Sequence, residues 1–370
     1  MKFDTYSFHP SIKAGISGAG FTSPTPIQER AIQPVLDGHD LLGLAQTGTG
    51  KTAAFVLPIL QRLLNGPRAR PRALIISPTR ELAEQTHTSI ATLGRQTGLR
   101  SLTIYGGVSV KPQINGLRAG ADILVACPGR LLDLMRQRVI KLSSIEILVL
   151  DEADQMFDMG FLPDIRRILA ALPTHHQTLL FSATMPDEIR SLANEFLRNP
   201  KTISLGASRP VETVGHAVYP VEQNKKVELL LGILHQSGNG KVLVFTRTKH
   251  RAKKLAGLLR KAGMAATSLQ GNLSQNQRQL AMDNFRNGWV RVLVATDIAA
   301  RGIDVSQISH VINYDMPDTA VAYTHRIGRT GRMANHGDAV SLATQADLPM
   351  VRTIERLLGR SLERRRLARV

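Results

Sequence analysis

Residues 45–52 read Ala-Gln-Thr-Gly-Thr-Gly-Lys-Thr, and the apolar run Ile145–Leu150 ends in Asp151-Glu152-Ala153-Asp154. A glycine-rich turn entering a helix points backbone N–H groups at phosphate oxygens, so Gln46, Thr47, Gly48, Thr49 and Gly50 can cradle a polyphosphate. Lys51 adds a positive charge near the β and γ phosphates, and the Thr52 hydroxyl can ligate Mg²⁺. Asp151, at a strand end, can hold the same ion. Glu152 beside it is then placed to take a proton from water attacking the γ phosphate. The pair of segments implies hydrolysis of a nucleoside triphosphate. Ala45 stands where the strict loop pattern has glycine. The surroundings still supply a strand, a loop and a helix in order: a short apolar run at Asp40–Leu44, then an apolar-rich helical stretch over Thr52–Leu64.

A second group of candidates lies near the other end. Tyr323–Arg332 carries Arg326, Arg329 and Arg332 three apart on a glycine-interrupted segment. Arginines so spaced can neutralise charge building on a transferred phosphoryl group, or bind the phosphates of a nucleic acid. Upstream, Ala295–Asp304 follows an apolar run, where Asp304 can accept from a ribose hydroxyl and Thr296 can donate to a backbone phosphate. Ser182-Ala183-Thr184 also follows a strand, with hydroxyls suited to linking the nucleotide pocket to the rest.

These residues need elements to hold them at strand ends. β-rich runs alternate with helical patterns through both halves, the signature of parallel sheets covered by helices. Runs are expected at 73–77, 102–105, 122–126, 145–150, 177–181 and 202–205, then at 216–221, 241–246, 266–269, 291–295, 310–314 and 338–343. Helices are expected over 80–96, 162–171 and 186–198, then over 225–235, 250–261, 275–287 and 350–358. Gly206–Glu212 lacks periodicity and contains Gly, Ser and Pro. That predicts an α/β domain at 1–205, a linker at 206–215 and a second α/β domain at 216–370. One phosphate loop for two sheets suggests that the second domain completes the site from across a cleft.

The 370 residues exceed what one core usually serves. A single cysteine, Cys127, excludes internal disulfides and zinc clusters, and the 4% aromatic content argues against recognition mainly by base stacking. No stretch approaches a membrane span and no leader is evident, so a cytoplasmic protein is expected. The net charge is +18, of which residues 207–370 carry +13. It concentrates in Arg247–Lys261 and in Arg352–Arg369, a field that attracts polyphosphate backbones. The segment after Gly359 reads as a frayed basic helix.

In this order the motifs resemble the DEAD-box family of ATP-dependent RNA helicases, from about Phe3 to Arg332. The resemblance implies two tandem RecA-like domains joined by a short linker, using ATP and Mg²⁺. Gly20–Gln28 is similar to the family's adenine-reading segment, which implies that Gln28 bonds the adenine edge and Phe3 packs on the ring. Pro78-Thr79-Arg80, Gly106-Gly107 and Pro128-Gly129-Arg130 correspond to segments that grip the RNA backbone. Arg247, Gly271 and Thr296 match counterparts in the second domain. By the same resemblance Arg329 and Arg332 act on the γ phosphate, while Asp154, Ser182, Thr184, His325 and Arg326 couple ATP to RNA. Cys127 departs from the threonine usual before Pro-Gly-Arg. Phe245–His250 and Ser274–Arg278 look most like the bacterial RhlE-type branch. The implied partner is single-stranded or short duplex RNA, bound without regard to sequence. Ribosomal or RNA-decay assemblies are further expected partners, and a monomer is the default state. The rivals are a nucleotide-gated RNA clamp with little unwinding and a DNA-directed translocase of the same superfamily. The Gln28 segment and the Asp-Glu-Ala-Asp tetrad point away from the second.

Overall fold

The computed structural model describes residues 2–46, 48–205, 214–300, 308–330 and 337–366. Thr47, Asp304 and Arg332 among the candidate residues, and 206–213 of the expected linker, lie outside them. The chain divides into two compact units, Met1–Ala207 and Ser208–Val370.

In unit 1 the strands are β1 (Leu41–Leu44), β2 (Ala73–Ile76), β3 (Ser101–Ile104), β4 (Ile123–Ala126), β5 (Ile147–Leu150), β6 (Gln177–Ser182) and β7 (Lys201–Ser204). Its helices are α1 (Pro10–Gly18), α2 (Pro26–Leu36), α3 (Lys51–Leu63), α4 (Arg80–Leu93), α5 (Lys111–Arg118), α6 (Pro128–Arg136), α7 (Ala153–Asp158), α8 (Leu162–Leu169) and α9 (Asp187–Phe196). The strands form one parallel sheet in the order β3-β4-β2-β5-β6-β1-β7. Apolar side chains pack on both faces, Leu41, Ile75 and Val149 on one and Leu42, Leu74 and Leu148 on the other, as a doubly covered parallel sheet requires.

Unit 2 repeats the plan with β8 (Val214–Pro220), β9 (Lys241–Phe245), β10 (Ala266–Leu269), β11 (Val292–Ala295), β12 (Ile308–Asn313), β13 (Gly337–Ala343) and β14 (Glu363–Arg364). Its helices are α10 (Lys226–Gln236), α11 (Lys249–Lys261), α12 (Gln275–Arg286), α13 (Asp297–Ala300), α14 (Ala320–Ile327) and α15 (Leu348–Leu358). The sheet order is β10-β11-β9-β12-β13-β8-β14, again parallel. Strand β8 starts two residues before the expected 216, because Val214 is already buried in the core.

Residues 360–366 are not the frayed helix expected from the charge of the segment after Gly359. Gly359 caps α15 with φ 65°, and the chain then pairs Glu363 and Arg364 with Ala217 and Val218 of β8. The physical reason is Leu362, which is buried in the unit 2 core and fixes the segment as an edge strand. No helix among the described residues is long and apolar enough to cross a membrane.

Candidate nucleotide and RNA sites

Apart from Phe3 and the Gly20–Gln28 segment, which precede β1, the candidate loops of unit 1 leave the C-terminal ends of strands, where open α/β sheets present ligand sites. The sheet order sorts them. Strands β5, β6 and β1 are neighbours, and they deliver the carboxylates, the Ser-Ala-Thr segment and the phosphate loop. Strands β3, β4 and β2 form the other half and deliver the three segments with Arg80, Gly106-Gly107 and Pro128-Gly129-Arg130.

At the phosphate loop Gly50 caps α3 with φ 96°, a conformation that favours glycine. A Cβ there would also lie 2.5 Å from Gln28 Nε2. Gln28 itself is buried; its Nε2 donates to the Gly50 carbonyl (3.0 Å), and its oxygen accepts from Thr25 N–H (3.0 Å). Thr49 closes the turn by donating to the Gln46 carbonyl at 2.8 Å. Phe3 is buried and stacks on Phe21, with centroids 6.2 Å apart, while Phe21 is the more exposed ring.

Lys51 and Glu152 form a buried ion pair at 2.9 Å, and Lys51 also donates to the Ala45 carbonyl at 2.9 Å. Burial works to depress the Lys51 ammonium, but the charges of Glu152 and Asp151 outweigh it and leave it above the usual lysine range. Burial, and then repulsion from Glu152, push the Asp151 carboxyl up to about 7. Asp151 Oδ1 is buried with no hydrogen-bond partner among the described residues. A buried carboxylate oxygen left so is the donor a hard cation needs. Thr52 lies on the first turn of α3, and a hydroxyl with a carboxylate is donor chemistry that fits Mg²⁺.

Glu152 sits at the start of α7 in the left-handed region, φ 54°, which is uncommon for a residue with a side chain. Its carboxylate accepts from Gln155 Nε2 at 3.1 Å. The sequence reading missed Gln155, since a lone amide in a helix carries no signal of its own. Asp154 joins two loops: its Oδ2 accepts from Thr184 N–H (2.8 Å), Thr184 Oγ1 (2.9 Å) and Ala183 N–H (3.2 Å). Ser182 Oγ in turn donates to the Thr184 carbonyl and accepts from Asp154 N–H. Asp154, Ser182 and Thr184 are therefore one cluster.

The other half of the sheet edge is also assembled. Thr79 caps α4 through its hydroxyl, and Pro78 before it is buried. The Arg80 guanidinium lies 5.9 Å from the centre of the Tyr105 ring and fills the space a Cβ on Gly107 would need. Arg130 Nη2 donates to the Val108 carbonyl at 3.3 Å, and its Nη1 is buried with no partner among the described residues. A Cβ on Gly106 or Gly129 would meet nothing within 4 Å. Packing does not demand glycine there, and the backbone is open. Cys127 starts α6 without a side-chain cap, and burial pushes its thiol up to about 12.

In unit 2, Arg247, Gly271 and Thr296 follow β9, β10 and β11, three adjacent strands. Arg247 is half exposed, and a Cβ on Gly271 would again meet nothing. His325 and Arg326 lie on α14, with Arg329 just beyond and buried. Arg326 is not available to a phosphate as its spacing suggested. It is 2% exposed, pairs with both oxygens of Asp297 (2.5 and 2.7 Å), and donates to Asn313 Oδ1 and the Asp315 carbonyl. Asp297 and Asn313 were also missed, because only the folded sheet brings them to α14.

The chain matches known sequence families across this whole frame. The DEAD/DEAH box helicase pattern covers residues 25–192, and the helicase conserved C-terminal domain pattern covers 225–334. DEAD-box ATP-dependent RNA helicase CshA of Streptococcus pneumoniae is 41% identical over 364 residues, 98% of this chain and 69% of that protein. RNA helicase CrhR of Synechocystis is 42% identical over 350 residues, 94% and 71% respectively. S. cerevisiae Dbp5 bound to RNA and ADP BeF3 has TM-score 0.88 at 32% identity, covering 98% of this chain and 95% of that one. A DEAD box protein from Methanococcus jannaschii is 36% identical with TM-score 0.57, covering 99% of each chain. With both halves of the pattern in order and such identity over nearly its full length, the chain belongs to the DEAD/DEAH box helicase family, as a DEAD-box ATP-dependent RNA helicase and RNA-dependent ATPase.

Proposed function

We propose that Glu152 is the base for ATP hydrolysis, that Lys51 holds the outer phosphates, and that Thr52 and Asp151 hold Mg²⁺. The observation that carries this is the buried Lys51–Glu152–Asp151 cluster with its unpartnered Asp151 oxygen. When bound, Mg²⁺ supplies charge neutralisation on the phosphate oxygens. Nucleotide arrival draws Lys51 from Glu152 to the phosphates, which frees the carboxylate to accept a proton from water. In the same reading Arg329 and Arg332 supply positive charge to the departing phosphoryl, and the Asp154–Ser182–Thr184 cluster, with His325 and Arg326, relays nucleotide state to RNA.

Gln28 supports adenine as the base. A side-chain amide has two N–H groups and two oxygen lone pairs, and Thr25 and Gly50 take one of each. One donor and one acceptor remain, which complements adenine's N7 and N6–H₂ but not the paired acceptors N7 and O6 of guanine. Phe3, stacked under Phe21, and Asp304 serve the base and ribose. RNA lies along the Thr79–Arg80, Gly106–Gly107 and Pro128–Arg130 segments of unit 1 and along Arg247, Gly271 and Thr296 of unit 2. Phosphate and ribose contacts of this kind prefer RNA to DNA without reading sequence. Phe245–His250 and Ser274–Arg278 favour the RhlE-type branch, acting in the cytoplasm with ribosomal or RNA-decay assemblies.

Glu152→Gln tests the assignment. It is expected to bind ATP and RNA but lose RNA-stimulated turnover; undiminished stimulation would remove Glu152 from the role.

A further inference from the structure

Helix α15 turns Val351, Ile354 and Leu358 into the core of unit 2. Arg352 and Arg356 on the helix, and Arg360 just past the Gly359 cap, line a shallow cavity of about 550 Å³ together with Glu355, Gly359 and Ser361. Ordinary uses of arginine do not account for the set. A cation in the last turn complements a helix C-terminus, which covers Arg356, but Arg352 lies a turn earlier. Surface arginines commonly face carboxylates, yet residues 350–366 hold six arginines and two glutamates. Both glutamates are engaged, Glu355 by Leu362 N–H (3.1 Å) and Glu363 by Arg365 (2.6 Å). Arg356 donates to the Thr353 hydroxyl and Arg360 to the Val214 carbonyl; among the described residues none of the three arginines has a carboxylate partner.

The stripe lies to one side of the strand-end segments of its own unit. Gly271, Thr296 and Arg247 follow β10, β11 and β9, whereas α15 packs against β8 and β13. Two strand intervals separate β9 from β13 and four separate β11 from β8, about 10 and about 19 Å at about 4.8 Å each.

We propose that Arg352, Arg356 and Arg360 form a second polyphosphate-binding surface, which holds RNA outside the stretch gripped by the strand-end loops. The inference rests on the RNA-binding reading above. Arginines four apart on a helix advance by about 6 Å, close to the spacing of phosphates along one RNA strand. A lipid surface fits poorly, since Val351, Ile354 and Leu358 are buried and only Leu348 and Leu357 of the helix's large apolar side chains are exposed, too few for an inserting face. The contacts are to the sugar–phosphate chain, so they extend the RNA footprint without adding sequence preference.

The test uses the full chain carrying Arg352→Gln and Arg356→Gln. Glutamine keeps the helix propensity, and Arg360 stays because it holds the Val214 carbonyl. Binding is measured against oligouridylates of about 6 and about 30 nucleotides. For the long RNA, the slope of log affinity against log salt should become shallower by about 1.4, a sevenfold smaller loss between about 50 and 200 mM salt. The short RNA should bind as before, and the melting curve should not move. An unchanged slope for the long RNA would overturn the proposal, as would equal weakening for both lengths. Polyglutamate displacing the long RNA as well as a competing RNA does would overturn it too, by showing a general taste for acidic chains. Binding of neither oligonucleotide by the unaltered chain would instead sink the RNA reading, and this surface with it.

Discussion

Replacing Gln155 with leucine probes how the base is held. Glu152 has Lys51 on one oxygen and the Gln155 amide on the other. Nucleotide phosphates compete for Lys51, whereas the Gln155 N–H stays, one turn along the same short helix. A hydrogen bond to a charged group is worth about 1.5–3 kcal/mol. If the bond fixes Glu152 toward the attacking water, its loss lowers kcat by roughly tenfold to 150-fold. Stability should fall by no more than about the same 1.5–3 kcal/mol, because part of the loss is offset. Leucine is close in volume, and the substitution also removes Gln155 Oε1, a buried oxygen with no partner among the described residues. The assay is steady-state ATP hydrolysis at saturating RNA with ATP varied, alongside a thermal melt. The expected result is a fall in kcat with KM for ATP near that of the unaltered chain and a modestly lowered Tm that leaves the protein folded at the assay temperature. Gln155→Arg, which keeps an N–H donor, should recover part of the rate. A kcat within twofold of normal, in a preparation where Glu152→Gln is inactive, would refute a positioning role for Gln155 and leave the base assignment standing.

Two further outcomes follow from local chemistry. Cys127→Thr supplies the missing cap to α6 and should stabilise unit 1 by about 1 kcal/mol, or about 2–4 °C in Tm, with only slight gain in RNA affinity; a large rise in affinity would contradict this. His216 is buried against Tyr323, whose hydroxyl lies 2.8 Å from Nδ1, and burial, then the Arg360 charge, lower its pKa to about 4. The unfolded chain takes up that proton near pH 6.5, so unit 2 should be at full stability above it. Stability should then fall by as much as about 3 kcal/mol as the pH drops from about 6.5 to about 4. The same acid slope in His216→Gln, read from denaturant unfolding, would exclude this source.

Much of this was legible in the residues, because a buried parallel strand is an apolar run and each run ends where a loop must emerge. Twelve such runs correspond to the strands β2–β13, usually within two residues. Strand β5 starts at Ile147 and not at Ile145, since Ile145 N–H closes a turn onto the Leu142 carbonyl. Helices α1, α2, α5 and α6 escaped notice because glycine or proline punctuates them, and α7, α13 and α14 because four to eight residues are too few to show a period. Gly15 in α1 is demanded by close packing, as a Cβ would fall 1.9 Å from the Leu93 carbonyl oxygen. Residues 45–52 and the Asp-Glu-Ala-Asp tetrad could be singled out because each is a contiguous run. Gln155, Asp297 and Asn313 were not, since their importance comes from what the fold sets beside them. The division of each sheet edge into adjacent strands of one purpose depends on strand order, which periodicity does not encode.

The two paired residues of β14 have a practical bearing on where this polypeptide can be cut. They cover Ala217 and Val218 at the border of the sheet, anchored by Leu362, and Arg365 N–H continues onto the Val218 carbonyl. Removing everything after Arg360 to ask about charge would also uncover β8, whose bare backbone groups invite edge-to-edge pairing with a second molecule. Precipitation or self-association of such a truncated form would then reflect a lost guard strand and not a lost nucleic-acid contact, so single substitutions that leave Leu362–Arg365 in place are the safer instrument.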